Sequence, residues 1–390
     1  MLQTVPSLLH PVYACSQVQL IRGGKAYFDL LQQLIDTAVT SIHLQTYIFE
    51  DDETGMEIGA ALMNAAQRGV TVQLMVDAYA SKELSAAFKE RLQRKGVRFK
   101  EFEPFFKNRN FYFGRRLHHK VFVADGWRSL VGGINISNRY NDMPDEKAWL
   151  DWALYTEGEA GAQLELVCKE VWNTPQLFKK KNTKKPNQAL TDAASYLVRV
   201  RRNDWVYRKN QISRTYLEMF RHAKSSITIL SSYFLPGRVF RKYIERALQR
   251  GVQIEVITAG NSDIALSKNA ERYLYRWLLK RGVRIYEYQP SVLHGKLSLC
   301  DDVLVTVGSY NINNISAYAS IELNLDVLSK PFAIETKAVL KQLMEADCVP
   351  VTTESYEMKF NRWQRMVQWG SYVLFRFIFF LFTFYFKQKE

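Results

Sequence analysis

The sequence predicts an α/β protein of two pseudo-symmetric lobes, each a mostly parallel sheet flanked by helices, with a site at the interface between them. Three observations carry this. The pattern His-x-Lys, four residues, Asp, six residues, Gly-small-x-Asn occurs twice: His118, Lys120, Asp125, then Gly132-Gly133-Ile134-Asn135; and His294, Lys296, Asp301, then Gly308-Ser309-Tyr310-Asn311. Strand-like and helix-like runs alternate in the same order before each copy. The length of 390 residues suffices for two lobes that each bury a core.

Each half opens on a β-branched, alternating run, SIHLQTYIF (41–49) and SITILSSYF (226–234), which reads as a core strand. A helical pattern follows and closes on Gln67–Val70 in one half and Gln249–Val252 in the other, both QRGV. TVQLMVDA and QIEVITAG are the second strands. A further helix stops at Gly96 or Gly282, at C-cap positions, before the third strands VRFKEFEP and VRIYEYQP. Strands separated by helices imply parallel crossovers. The expected division is a first lobe over 1–172, a basic linker over 173–192, a second lobe over 193–347 and a tail over 348–390.

The halves differ before the motif. Gly96 to His118 spans 22 residues and Gly282 to His294 only 12, so half one carries about ten extra residues within PFFKNRNFYFGRRL (104–117). Five aromatics with Lys107, Arg109, Arg115 and Arg116 suit the mouth of a site, where rings enter lipid and guanidinium groups hold phosphate. The alternative is an excursion packed on the lobe.

Composition narrows the partners. Apolar residues at 47% and charged residues at 24% describe a globular chain, and a net charge of +14 favours a polyanion: nucleic acid, an anionic membrane or a phosphorylated substrate. Cys15, Cys168, Cys300 and Cys348 lie far apart, so neither a zinc site nor a disulfide framework is expected, and a cytosol-facing location is the simpler reading. The N-terminus lacks the pattern of a secretory signal. Residues 366–386, MVQWGSYVLFRFIFFLFTFYF, carry one charge, Arg376. A span needs about 20 apolar residues. The central arginine and the many aromatic rings favour an interfacial or re-entrant helix; a true span and a helix packed on the protein's own core are the alternatives.

Two imidazoles and two ammonium groups suit displacement at a phosphodiester. One imidazole attacks phosphorus, the other protonates the leaving alkoxide, and Lys120 and Lys296 face the equatorial oxygens. Histidine, with a pKa of about 6.5, serves either role, and no metal or cofactor is called for. Residues two apart on a strand share a face, which groups His118 with Lys120 and His294 with Lys296. Asn135, Asn311 and the Ser309 hydroxyl are candidates to hydrogen-bond phosphate. A nucleophilic histidine needs its second nitrogen fixed, for which Asp151, 33 residues after His118, and Glu322, 28 after His294, fit best. Asp125 and Asp301 are either orienters or anchors of the turn that shapes the motif. His10, His43, His119 and His222 are read as ordinary histidines, and Cys300 as a buried small residue.

These residues resemble the phospholipase D superfamily, whose signature is His-x-Lys-x4-Asp present twice in one chain. Longer stretches, QTYIFEDDETGMEIGAALMNAAQRGVTVQLMVD, SSYFLPGRVFRKYIERALQRGVQIEVITAGNSD and IYEYQPSVLHGKLSLCDDVLVTVGSYNIN with IELNLDV, resemble bacterial cardiolipin synthases. The resemblance implies two phospholipase D-like lobes and a catalytic set of His118, Lys120, Asp125, His294, Lys296 and Asp301. It also implies phosphatidyl transfer between phosphatidylglycerol molecules through a phosphatidyl-histidine, without a metal. Superfamily members that use the N-terminal histidine point to His118 as nucleophile and His294 as general acid. The expected partners are phospholipids and an anionic membrane surface, with the enzyme a self-contained monomer held peripherally or monotopically on the cytoplasmic side of a bacterial membrane. Lacking N-terminal spans, the chain resembles the shorter subgroup. A hydrolase or nuclease is the alternative; nucleic acid is the less expected partner, because a soluble nuclease has no use for so much exposed phenylalanine.

Overall fold

Within each half, the parallel strand pairs are those separated by a helix, and the tight three-residue turns join antiparallel strands. The computed structural model describes residues 11–103, 115–173, 196–313 and 320–387, with side chains to 378. In the first half, β1 (Tyr13–Arg22), α1 (Lys25–Asp36), β2 (Ser41–Thr46), α2 (Glu53–Gln67), β3 (Thr71–Asp77), α3 (Ala86–Arg94) and β4 (Arg98–Phe102) alternate. Only β2, β3 and β4 run parallel.

The chain then changes habit. After β5 (Arg116–Leu117), β6 (Lys120–Ala124) and β7 (Arg128–Gly132) form a hairpin, β8 (Trp152–Gly158) pairs antiparallel with β7, and β1 pairs antiparallel with β8. α4 (Glu159–Asn173) closes the half. The sheet order is therefore β4-β3-β2-β6-β7-β8-β1.

The second half repeats this plan. β9 (Tyr196–Asp204), β10 (Lys209–Asn210) and α5 (Gln211–His222) lead into β11 (Ser226–Ser231), α6 (Arg238–Gln249), β12 (Gln253–Ala259), α7 (Ala265–Leu279) and β13 (Arg284–Tyr288). β14 (Lys296–Cys300), β15 (Leu304–Gly308) and β16 (Ser320–Leu328) follow, antiparallel in succession, with β9 against β16. α8 (Lys330–Asp347) leads to β17 (Cys348–Val351), which borders β13. α9 (Thr353–Lys359) and α10 (Arg362–Lys387) complete the chain.

Each sheet is thus mixed, not mostly parallel. Helical crossovers join only the first three strands of the repeat; beyond them three-residue turns close hairpins, and a hairpin is antiparallel by geometry. Asp125 (φ 55°) and Gly126 (φ 61°) make one turn, Asp301 (φ 50°) and Asp302 (φ 52°) the other. Helix stops repeat as well: Gly69, Gly96, Gly251 and Gly282 have φ between 83° and 93°, the left-handed region.

Three cores follow from the layering. Ile42, Leu44, Leu74 and Val76 pack under α1, α2 and α3, and Ile227, Ile229, Ile254 and Val256 under α5, α6 and α7. The inner faces share the third: Val121, Val123, Val131 and Leu154 meet Leu297, Leu299, Val305 and Leu325, together with residues of α4 and α8. β1 and β9 also pair at Tyr13–Cys15, which joins the sheets at an edge. The expected linker (173–192) lies outside the described residues from 174 onward, as does the excursion over 104–114.

Candidate active site

β6 runs antiparallel to β2, and β14 to β11, so the start of each motif strand lies at the carboxyl ends of the parallel strands, the usual ligand edge of such sheets. Lys120 and Lys296 are the first residues of these strands. The histidines stand two residues earlier, off the strand. Each is held by the other half. The His118 N–H donates to the Ile321 carbonyl at 3.1 Å, while Arg116 and Leu117 pair with Ser320 and Ile321. The N–H groups of His294 and Gly295 donate to Leu150 O at 2.8 and 2.9 Å.

The orienting carboxylates cross in the same way. Nδ1 of His118 lies 2.9 Å from Oε2 of Glu322, and Nδ1 of His294 lies 2.6 Å from Oδ2 of Asp151. Both carboxylates are fully buried. Gly132 is registered with Ala153 and Gly308 with Asn324, so Asp151 and Glu322, each two residues earlier, occupy equivalent positions of the repeat. With Nδ1 engaged by a carboxylate, Nε2 of each ring is the nitrogen available for chemistry.

The small residue of the motif fits its carboxylate. A Cβ at Gly133 would lie 2.5 Å from the Asp151 oxygens, so glycine makes room for them. Ser309, at the matching place, donates its hydroxyl to Glu322 Oε2 and accepts from the Leu323 N–H at 3.1 Å; Ser320 donates to Glu322 Oε1 at 2.7 Å. The expectation of Ser309 as a phosphate donor is corrected: its hydroxyl is engaged with the carboxylate behind His118.

Burial sets the electrostatics. Desolvation lowers the Lys120 ammonium to about 7, helped by the nearby Lys296 charge, and lowers Lys296 to about 8 against the pull of Asp151 and Glu322. Burial also lowers both histidines, with Glu322 and Asp151 opposing it. The two carboxyls stay below their ordinary range: burial would raise them, but Lys296 and His294 around Asp151, and His118 and Lys120 around Glu322, outweigh it. Lys120 Nζ donates to His118 O at 2.6 Å, and Lys296 Nζ donates to His294 O. Two ammonium groups, two imidazoles and their two carboxylates are thus packed side by side.

The asparagines are held by their oxygens. Asn135 Oδ1 accepts from the Ile48 N–H at 3.1 Å and Asn311 Oδ1 from the Ser232 hydroxyl at 3.2 Å. Aromatic rings wall the histidines: Tyr47 is 5.0 Å from His118, and Tyr140 and Trp149 are 5.3 and 6.0 Å from His294. Sequence reasoning missed these rings, though Tyr47 lies near the end of the first repeated strand run. It missed Asp77 too, whose buried carboxylate accepts from the Leu117 N–H at 2.9 Å and so fixes the residue before His118.

Asp125 and Asp301 are outside this pocket, at the far ends of β6 and β14, five strand residues or roughly 16 Å away. Asp125 accepts from the N–H groups of Val39, Thr40 and Ser41, and Asp301 from those of Lys224, Ser225 and Ser226. A catalytic place for them is corrected to the turn-anchoring one. Arg115 is also not a free phosphate ligand: it is buried, 3.3 Å from Glu103 and 2.9 Å from Asp204 of the second half.

This geometry has known relatives. A family described as "Cardiolipin synthase, PLD-like domain" matches residues 31–172 and 216–344, which hold both histidines, both lysines and both carboxylates. The chain belongs to this family. It is 33% identical to a cardiolipin synthase B of Salmonella typhi over 86% of this chain and 82% of the relative. Against a cardiolipin synthase 1 of Bacillus anthracis identity is 28%, over 89% and 68%. Among solved structures, a phosphatidylserine synthase of Haemophilus influenzae aligns with TM-score 0.70 at 14% identity, covering 94% of each chain. That likeness shows the fold of this cardiolipin synthase family member.

Proposed function

We propose that this chain is a cardiolipin synthase, moving a phosphatidyl group from one phosphatidylglycerol to a hydroxyl of a second and releasing glycerol. The observation that carries the mechanism is the pair of crossed histidine-carboxylate contacts beside two buried lysines. Nε2 of His118 attacks phosphorus, the phosphorus–oxygen bond to glycerol breaks, and His294 gives its proton to the departing oxygen. The acceptor hydroxyl then loses its proton to His294, its oxygen attacks phosphorus, and the phosphorus–nitrogen bond breaks. Lys120 and Lys296 balance the charge on the non-bridging oxygens, joined by the Asn135 and Asn311 amides. His118 is assigned as nucleophile because its side chain is the more open, 18% exposed against 10% for His294. Because each half supplies a histidine and the other half's carboxylate, one chain is catalytically self-contained. A phospholipid substrate supports a peripheral or monotopic position on a membrane, which we propose to be its cytoplasmic face.

The test is product analysis with phosphatidylglycerol in vesicles or detergent: cardiolipin and glycerol are expected. Phosphatidic acid alone, with abundant acceptor, would make it a hydrolase, and salt-sensitive DNA cleavage would make it a nuclease. In His294→Ala a lipid adduct should persist on His118; an adduct on His294 in His118→Ala would reverse the roles.

A further inference from the structure

α10 is built as a two-faced helix. Its inner face packs along α7: Gln368 and Ser371 are buried, Gln368 accepts from the Tyr356 hydroxyl at 2.7 Å, Tyr372 lies 4.8 Å from Tyr273, and Tyr372 and Phe375 pack against Leu235, Ala270 and Leu274. The opposite face is apolar and open: Trp363, Met366, Val367, Val373, Leu374 and Phe377 are 41 to 67% exposed. Spaced three and four apart, they form one stripe along successive turns. Arg362, Trp369 and Arg376 fall along one flank, all exposed, with Arg376 stacked over Tyr372 at 5.7 Å.

We propose that α10 is a docking element for an anionic lipid surface, lying in the plane of the interface with this stripe among the acyl chains and the flanking arginines among the headgroups. Shape and charge choose this occupant. Among the described residues no helix is long and apolar enough to cross a membrane, and a helix with one open apolar stripe beside arginines suits the plane of the interface. Arg362–Lys387 contains no Asp or Glu, so a second copy docked on the stripe would face cationic flanks with no acidic partner on the helix, whereas lipid phosphates match them. The helix also rests on α7, and Asp263, in the loop just before α7, accepts from the Tyr233 hydroxyl at 2.5 Å. The inference deepens the proposed function and rests on it for the identity of the surface.

The experiment uses the full chain with vesicles of phosphatidylcholine and phosphatidylglycerol. The variant Val373→Glu with Leu374→Glu changes two exposed positions. Flotation should show vesicle binding about tenfold weaker or worse, since each buried aliphatic side chain contributes strongly to partition. Activity on vesicle phosphatidylglycerol should fall in parallel, while activity in detergent micelles stays near wild type. In the unaltered protein, brominated acyl chains should quench the tryptophan fluorescence, a readout that needs no variant. Unchanged flotation of the variant, absent quenching, or a wild-type dimer that the variant dissolves without loss of vesicle binding overturns the proposal. Inactivity in micelles and vesicles alike, with binding intact, would count against the catalytic reading and leave the docking helix standing.

Discussion

Asp151 and Glu322 occupy equivalent positions yet differ in length, and the residue facing each is matched to it: glycine beside the aspartate, serine beside the glutamate. Replacing either carboxylate by its amide, Asp151→Asn or Glu322→Gln, removes the group that fixes the imidazole tautomer. A loss in kcat of roughly 10²–10⁴-fold at similar KM is expected, by analogy with carboxylate-oriented histidines elsewhere. Gly133→Ser should be nearly as damaging, because its Cβ meets the Asp151 carboxylate at 2.5 Å, whereas Ser309→Gly should be milder, removing one of the three side-chain contacts of Glu322. Steady-state kinetics of folded variants check this, and an active Gly133→Ser would refute it. The pH dependence follows from burial. Burial lowers both histidines, which keeps His118 neutral for attack below the ordinary histidine range, whereas His294 must carry a proton to act as acid, a form that the negative charge of a bound phosphate favours. Lys120 and Lys296, lowered to about 7 and about 8, lose their protons as pH rises through those values, and the free pocket then loses its attraction for phosphate. Hence kcat/KM should decline on the alkaline side across that interval; a profile that stays level well above both values would contradict it.

The turn that ends each motif strand is the element that sequence alone left ambiguous. Asp125 accepts four hydrogen bonds from Thr40, Ser41 and Val39 within 3.1 Å and itself adopts φ 55°. Although burial would raise it, these donors hold it down to about 2. Its folded value is depressed, so its stabilisation is present above the unfolded value of about 3.9 and fades as pH falls from there toward the folded value. Asp125→Ala should therefore destabilise the fold by about 1–3 kcal/mol near neutral pH, with kcat of the folded fraction little changed. Urea unfolding followed by an activity assay separates the two effects, and a large kcat loss without a stability loss would return the residue to the catalytic set. The repeated strands, helix stops and pocket side chains were legible because each has a local signature: alternation, Gly after a helix, a fixed motif spacing. The hairpin habit of β6 and β7 was not, since a turn anchored by Asp125 does not by itself say that Ala124-Asp125-Gly126-Trp127 reverses the chain between antiparallel strands. The crossing of carboxylate and histidine was illegible for a different reason, because partners 143 and 204 residues apart meet only through packing of two sheets.

At the scale of the whole molecule, that crossing means neither half contains a complete site. The first half holds His118 and Lys120 but takes Glu322 from the second; the second holds His294 and Lys296 but takes Asp151 from the first. The same division runs through the packing, since Val121, Val123, Val131 and Leu154 are buried against Leu297, Leu299, Val305 and Leu325. Separation would expose that shared face, at a cost of about 1.5–3 kcal/mol for each large aliphatic residue uncovered. Fragments 1–173 and 196–390 expressed alone should be inactive and prone to associate, because an open apolar sheet face seeks a partner. Co-expressed, they should assemble through the shared core, the β1–β9 pairing and the Arg115–Asp204 ion pair, and recover transferase activity without the intervening segment. Complementation then gives a sharper result with mixed variants. A first fragment bearing Asp151→Asn should disable the histidine chemistry of a wild-type second fragment, and Glu322→Gln in the second should disable that of a wild-type first. A first fragment active by itself would mean that the carboxylate partner can be supplied within one half, against the crossed geometry.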